Sequence, residues 1–339
     1  MPEGMVVFPH EVKLTPKENY FRMLEGREYE WLPHFFLNNG MAMIDEDFLT
    51  PMMAPDGPIV TSLGVTYVGQ PDMNFGATPD PGKYILHDIT KWRDCVHTPD
   101  LSDFDFEQYY KGKTAHVDRD TQFVAVGGAD YFLTLVALMG FEETFIALEE
   151  EEDEVLALLD YIHEFYMLIY KKQLQYADPE MLMTMDDDST PRNPFFSLET
   201  WRKFFKPYKK EHYDLARDRG MHIGHHDCGK CEMFIPDWLE MGIETWNPAQ
   251  PCNDLVGVMQ KYPNLTIEGG WDGVKYDTIN DLDVLREALV EYIDTFAPGG
   301  HFAYAAVTGG FPSDPMTEKR REVVIDVYMK YGFDWYKNH

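Results

Sequence analysis

Positive charge, cysteine and long apolar runs are what this sequence has little of. Its 29 Lys and Arg stand against 59 Asp and Glu, for a net charge of −30. No Lys/Arg cluster is visible, so the contacts that hold phosphate backbones are missing and nucleic acid is not expected as a partner. The same balance argues against an anionic membrane surface. No stretch of about 18 apolar residues occurs, so no membrane-spanning helix is expected. The first residues, Met1-Pro2-Glu3-Gly4, lack the basic start and apolar run of a secretory leader. Four cysteines in 339 residues do not make a disulfide framework. A reducing, cytoplasmic setting is the expectation.

What is present is a large core supply. Apolar residues make up 44% of the chain and aromatics 14%, with 19 Met besides, enough for a substantial core and an apolar pocket. Eight short apolar runs read as buried strands: 32–36, 65–69, 122–126, 181–185, 221–224, 242–246, 265–268 and 301–305. They are spaced by about 20–60 residues, room for a helix between each pair, as parallel strands require. Helical periodicity is clearest from Glu142 to Ala177, with an acid run at Glu149–Glu154 that suits a solvated turn or helix N-terminus. Ser197 is expected to cap a following helix, and residues 280–283 to open another. The expected fold is α/β: one (β/α)8 TIM barrel over 1–339 with N-terminal elaboration, residues 40–120 forming loop-rich insertions.

The most informative segment is His222-Ile-Gly-His225-His226-Asp-Cys228-Gly-Lys-Cys231. Imidazole and thiolate are ligands that zinc favours, and a His-x-Cys pair at a strand end puts both donors on one side. A polar loop around a buried cysteine is the plainer alternative. Barrel chemistry sits at the C-terminal strand ends, and there the polar residues gather. Asn38 and Asn39 follow the first run, Asp186-Asp187-Asp188 the fourth, and His225, His226 and Cys228 the fifth. Glu244 lies in the sixth run, with Asn247 after it. Glu268, Trp271 and Asp272 come with the seventh, and Thr308-Gly309-Gly310 after the eighth. His226, Cys228 and Glu244 would form an N, S, O donor set with one position open, the pattern of catalytic zinc. His222, His225 and Cys231 read as structural, and Cys95 and Cys252 receive no role. The Asp triplet suits a helix cap as well as an active site. Asn38 and Asn39 also suit a turn.

The segment 186–208, followed by His226-Asp227-Cys228-Gly229 and Gly269-Gly270-Trp271-Asp272, resembles the uroporphyrinogen decarboxylase superfamily, and within it the corrinoid-dependent methyltransferases. The resemblance covers roughly residues 20–335, in keeping with its (β/α)8 barrel. It implies a zinc held by His226 and Cys228, and cobalamin carried by a partner corrinoid protein. Two departures stand out. The arginine motif that holds porphyrin carboxylates is replaced by Phe35-Phe-Leu-Asn-Asn-Gly40, and no cysteine occurs in the 305–310 region. The implied activity is methyl transfer from a small methylated compound, such as a methoxylated aromatic, to cobalt (O-demethylation). Asp186 or Asp187 would act as acid or support. Asn38, Asn39, Tyr131, Trp246 and Trp271 would bind substrate, with Phe35, Tyr67 and Phe132 adding to the wall. The alternatives are transfer from methylcorrinoid to a thiol or tetrahydrofolate, decarboxylation of a small acid, and a non-catalytic binding barrel.

Overall fold

The computed structural model describes residues 8–339 apart from 45, 52, 72–75, 129 and 308–313. Ten strands are described. β1 (Met41–Ile44), β5 (Phe123–Gly127), β6 (Met181–Asp186), β7 (His222–Asp227), β8 (Thr245–Ala249), β9 (Thr266–Gly269) and β10 (Phe302–Ala303) form one parallel sheet in that order. β2 (Ile59–Val60), β3 (Thr66–Gln70) and β4 (Gly76–Pro79) form a separate antiparallel sheet. One stretch of chain reaches both edges of the parallel sheet. His34 forms a parallel bridge with Tyr304, just past β10, and β1 pairs with β5. The bridge is held by Phe35 N–H donating to the Tyr304 carbonyl (2.9 Å) and Tyr304 N–H to the Pro33 carbonyl (2.8 Å). The sheet thereby curls into a TIM-type α/β barrel.

Two expectations about strands need correction. The run 65–69 is not a barrel strand but lies in the antiparallel sheet. Val65 and Tyr67 are buried while Thr66 and Val68 are only half-buried, the alternation of a sheet covered on one face. The true neighbour of β5 is Met41-Ala-Met-Ile44, inside the region read as loops; methionine and alanine carry little strand preference. The long helix expected over 142–177 is two, Phe141–Glu150 and Glu152–Tyr176, broken within the acid run. Ser197 and Asp281 cap their helices as expected, accepting from Thr200 N–H and from Asp283 and Val284 N–H.

The barrel interior is closed at the N-terminal end by helix Pro16–Leu24. Proline at its start and Thr15 capping Glu18 N–H fix where it begins. Its Tyr20, Met23 and Leu24 pack with Phe123, Ala125, Met181, Met183 and Ala303. Space there is tight: a methyl group at Gly224 would lie 2.5 Å from Met183 Cε. The larger core lies between the sheet and the outer helices. Period-two alternation therefore decides every side chain's company. On β7, Ile223, His225 and Asp227 turn toward the helices, and His222, Gly224 and His226 toward the barrel interior. Among the described residues no single helix is long and apolar enough to cross a membrane.

Candidate metal centre

Asp187, His226 and Cys228 meet at the C-terminal mouth, each offering one donor atom, all within 4.8 Å of one another. β6 and β7 run in register, Met185 opposite His226 and Asp186 opposite Asp227, so Asp187 and Cys228 leave adjacent strand ends together. Gly229 lets the two exits approach. Its φ is +89°, and a Cβ there would fall 2.5 Å from the Ser189 carbonyl oxygen. The Cys228 N–H donates to Asp187 Oδ1 at 3.3 Å. Cys228 Sγ lies 3.6 Å from His226 Nε2, and Asp187 Oδ1 lies 4.0 Å from the same nitrogen. A tetrahedral Zn²⁺ with ordinary bond lengths separates N and S donors by about 3.6 Å and N and O donors by about 3.4 Å. The thiol and imidazole already meet that spacing, and the carboxylate needs a shift of roughly half an ångström. The donor set fits zinc.

The imidazole is also oriented for this use. His226 Nδ1 lies 2.9 Å from Asn247 Oδ1, which can only accept, so Nδ1 carries the proton and Nε2 keeps its lone pair for the mouth. The Asn247 amide nitrogen donates to Glu268 Oε2 (3.1 Å) and to Met183 Sδ (3.5 Å). Glu268 also accepts from Thr245 Oγ1 at 3.0 Å and from the Tyr20 hydroxyl. Burial pushes its carboxyl up to about 7, against the three hydrogen bonds that favour the charged form. Burial, with the Asp187 carboxylate beside it, holds the Cys228 thiol far above the usual thiol range. A bound cation would reverse that balance. His226 and Asp187 keep 32% and 45% side-chain exposure, which leaves one approach open.

Several expected site residues lie elsewhere. Glu244 is not a ligand. It directly precedes β8 and so lies at the opposite end of the barrel, where Oε2 is 3.0 Å from His222 Nδ1 and accepts from Ile223 N–H at 2.9 Å. The carboxylate that lies beside His226 and Cys228 is Asp187. Asp186 turns outward into an ion pair with Lys209, both fully buried. Around that pair, burial first and neighbouring carboxylates second push the Asp188 and Asp227 carboxyls up, and burial draws the Lys209 ammonium down. Asn38 and Asn39 are consumed by the turn before β1. Asn38 accepts from His34 N–H (2.9 Å) and donates to the Tyr328 hydroxyl (2.7 Å), and Asn39 bonds the Phe35 carbonyl and Met41 N–H. Tyr131 is buried with its hydroxyl between His163 and His212, and Trp246 is buried with its indole N–H on the Asp227 carbonyl. Tyr67 and Phe132 are core as well. Trp271 is half-buried after β9, stacked 4.4 Å from Tyr276. Thr308-Gly309-Gly310 lie outside the described residues.

The sequence reading assigned no role to Asn247, Glu268 or Lys209. A signal existed for two of them. Glu268 is the charged residue of an otherwise uncharged strand, and Lys209 falls on the buried face of helix Lys206–Asp218 with Tyr208, His212, Tyr213 and Ala216. Two surface clefts of about 540 and 710 Å³ are lined by residues within 286–295 and within 13–30 and 336–337, away from this site. Donor chemistry, not cleft volume, is what marks the mouth.

Among solved structures, the chain is similar to a methyltransferase from Methanosarcina mazei. The TM-score is 0.63 at 11% identity, covering 93% of this chain and 98% of that one, which establishes a shared fold. A dihydropteroate synthase from Anaplasma phagocytophilum (12% identity, 51% of this chain and 65% of that one) and a sugar phosphate isomerase/epimerase from Parabacteroides distasonis (14%, 69% and 79%) align only at TM-scores of 0.32 and 0.33. No curated protein matches in sequence. The family model for uroporphyrinogen decarboxylase (URO-D) matches residues 113–302, more than half of the chain and all of β5 through β9, and the protein therefore belongs to that family.

Proposed function

We propose that this protein is a zinc-dependent methyltransferase. It moves a methyl group from a small methylated compound, a methoxylated aromatic, to the cobalt of a partner corrinoid protein. The observation that carries this reading is the N, S, O donor set at the barrel mouth with one side open. The fold shared with a methyltransferase is consistent with it. Zn²⁺, when bound, supplies Lewis acidity to the atom that the methyl group leaves. The chain's own residues do the rest. Asn247 holds the His226 ring, Cys228 and Asp187 complete the donors, and Trp271 with Tyr276 offers a flat wall beside the mouth.

The donor set also favours a substrate class. A carboxylate replaces the second thiolate of thiol-activating sites, making a harder centre that suits an oxygen leaving group over a sulfur acceptor. Asp186 is tied to Lys209 and Asp187 belongs to the donor set, so neither is a free acid. A phenolate, whose conjugate acid resembles tyrosine with a pKa near about 10, can leave without one far more readily than an alkoxide can. Porphyrin decarboxylation is disfavoured because the 35–40 segment offers no arginine for substrate carboxylates.

The test combines metal analysis with a methyl-acceptor assay. Wild type should carry about one zinc per chain, and Cys228→Ser should lose it while keeping its circular dichroism spectrum. With a reduced corrinoid protein, the Co(I) absorption should decay only when zinc protein and a methoxybenzene are both present. Full activity without metal would overturn the reading. Decay driven by methylated thiols or methyltetrahydrofolate instead would reassign the substrate.

A further inference from the structure

TIM-barrel interiors are ordinarily filled by layers of branched apolar side chains. Here the layer beneath the mouth holds a glutamate, an asparagine, a threonine and a tyrosine. Glu268 is 1% exposed and Asn247 5%. Burying such groups costs several kcal/mol unless every one is partnered. They are partnered, and in one direction only.

The Asn247 amide nitrogen faces two groups that accept, the Glu268 carboxylate oxygen Oε2 and the Met183 thioether. That leaves Oδ1 as the atom toward His226, and the imidazole must answer with a proton on Nδ1. Thr245 donates to the same Oε2. Oε1 is occupied separately by the Tyr20 hydroxyl. A proton taken up by Glu268 can therefore sit on Oε1 and point at the Tyr20 oxygen, leaving the Oε2 side unchanged. We propose that Glu268 is a positioning residue: acting through Asn247, it locks His226 in the Nδ1–H tautomer and so presents the Nε2 lone pair beside Cys228 and Asp187. Tyr20, from the helix that closes the far end of the barrel, anchors the relay. This deepens the metal-site reading and rests on it for its purpose, though not for its geometry.

The experiment reads the tautomer directly. ¹⁵N-histidine labelling of the metal-free protein, with His226 assigned by its loss in His226→Gln, reports which ring nitrogen carries the proton. Wild type should show Nδ1–H. Asn247→Leu removes the acceptor and should release the ring to Nε2–H or a mixture. Glu268→Met should do the same in part, because the amide is free to turn over. Glu268→Gln should restore Nδ1–H, since its nitrogen can donate to the Tyr20 oxygen while its oxygen accepts from Asn247. Cobalt(II) affinity should follow, falling about 10- to 100-fold in Asn247→Leu and staying within about threefold of wild type in Glu268→Gln. A wild-type His226 protonated on Nε2, or Nδ1–H retained unchanged in either Asn247→Leu or Glu268→Met, sinks the inference. If Glu268→Met does not fold, Glu268→Ala is read in its place by the same criterion. The expected tautomers in a protein that binds neither zinc nor cobalt would instead sink the metal reading and leave the relay standing.

Discussion

The two ends of β7 carry the same chemistry in residue type and opposite chemistry in use. At the start, His222 meets Glu244 at 3.0 Å and its ring packs 4.4 Å from Phe21 of the closing helix. The carboxylate also takes the Ile223 N–H, and Phe21 covers the His222 ring. At the other end, four residues on and on the same face, His226 meets Cys228 and Asp187 where strands give way to loops, their donor atoms all within 4.8 Å of one another. A histidine beside a carboxylate is therefore not a site by composition. In a parallel barrel all strands deliver their C-terminal ends to one side, and there the loops bring donors from neighbouring strands together. One residue before His226, His225 shows a third outcome. It faces the helices between Thr184 and Trp238, and burial pushes it well below the ordinary imidazole range.

This contrast can be tested, beginning with the outward face. Lys209→Met removes the ammonium that pairs with Asp186 and strands buried carboxylates. Unfolding free energy in urea should fall by about 3–5 kcal/mol, with metal binding retained in the folded fraction. An unchanged midpoint would mean that the outward cluster is not the stabilising half of the comparison.

The inner relay predicts a pH effect of slightly smaller size. Glu268 holds its proton to about 7 in the folded protein, against an ordinary 4.5. The native state thus binds more protons than the unfolded state between those values, and stability must fall as pH rises from 4.5 through 7. The loss attributable to Glu268 is about 3 kcal/mol, at 1.36 kcal/mol per pH unit. Asp130, pushed up to about 7 by burial, adds to the same slope. The difference between wild type and Glu268→Gln across that window isolates the glutamate, and parallel curves would refute the assignment.

The smallest effects compare the two carboxylates themselves. Glu244→Gln should cost no more than about 1 kcal/mol and leave zinc content untouched. Asp187→Asn should leave stability within about 0.5 kcal/mol yet weaken zinc binding by roughly 10- to 100-fold. The reverse result would restore Glu244 to the ligand set.

Much of this could be read in advance. Six of the seven parallel strands announce themselves as short apolar runs with turn residues at their ends, and the His-x-Cys pair marks the mouth. What failed did so for local reasons. The apolar pattern of 242–246 suggests a strand from its first residue, whereas Gly242 is the left-handed cap (φ +91°) of helix Ile235–Met241 and β8 begins only at Thr245. That short misreading carried Glu244 to the wrong end of the barrel. Likewise, three successive aspartates cannot be told apart by type. Alternation on β6 sends Asp186 outward to Lys209, and the next residue, free of the strand, goes to the mouth.

Periodicity, charge and spacing are local properties of the chain, and from them follow the barrel class, the acidic composition and a thiol–imidazole pair two residues apart. The tertiary structure alone decided which aspartate joins that pair, which histidine tautomer faces it and which glutamate stands behind it. Each of those depends on a neighbour from another strand, brought within about 4 Å only when the sheet curls and its register is set.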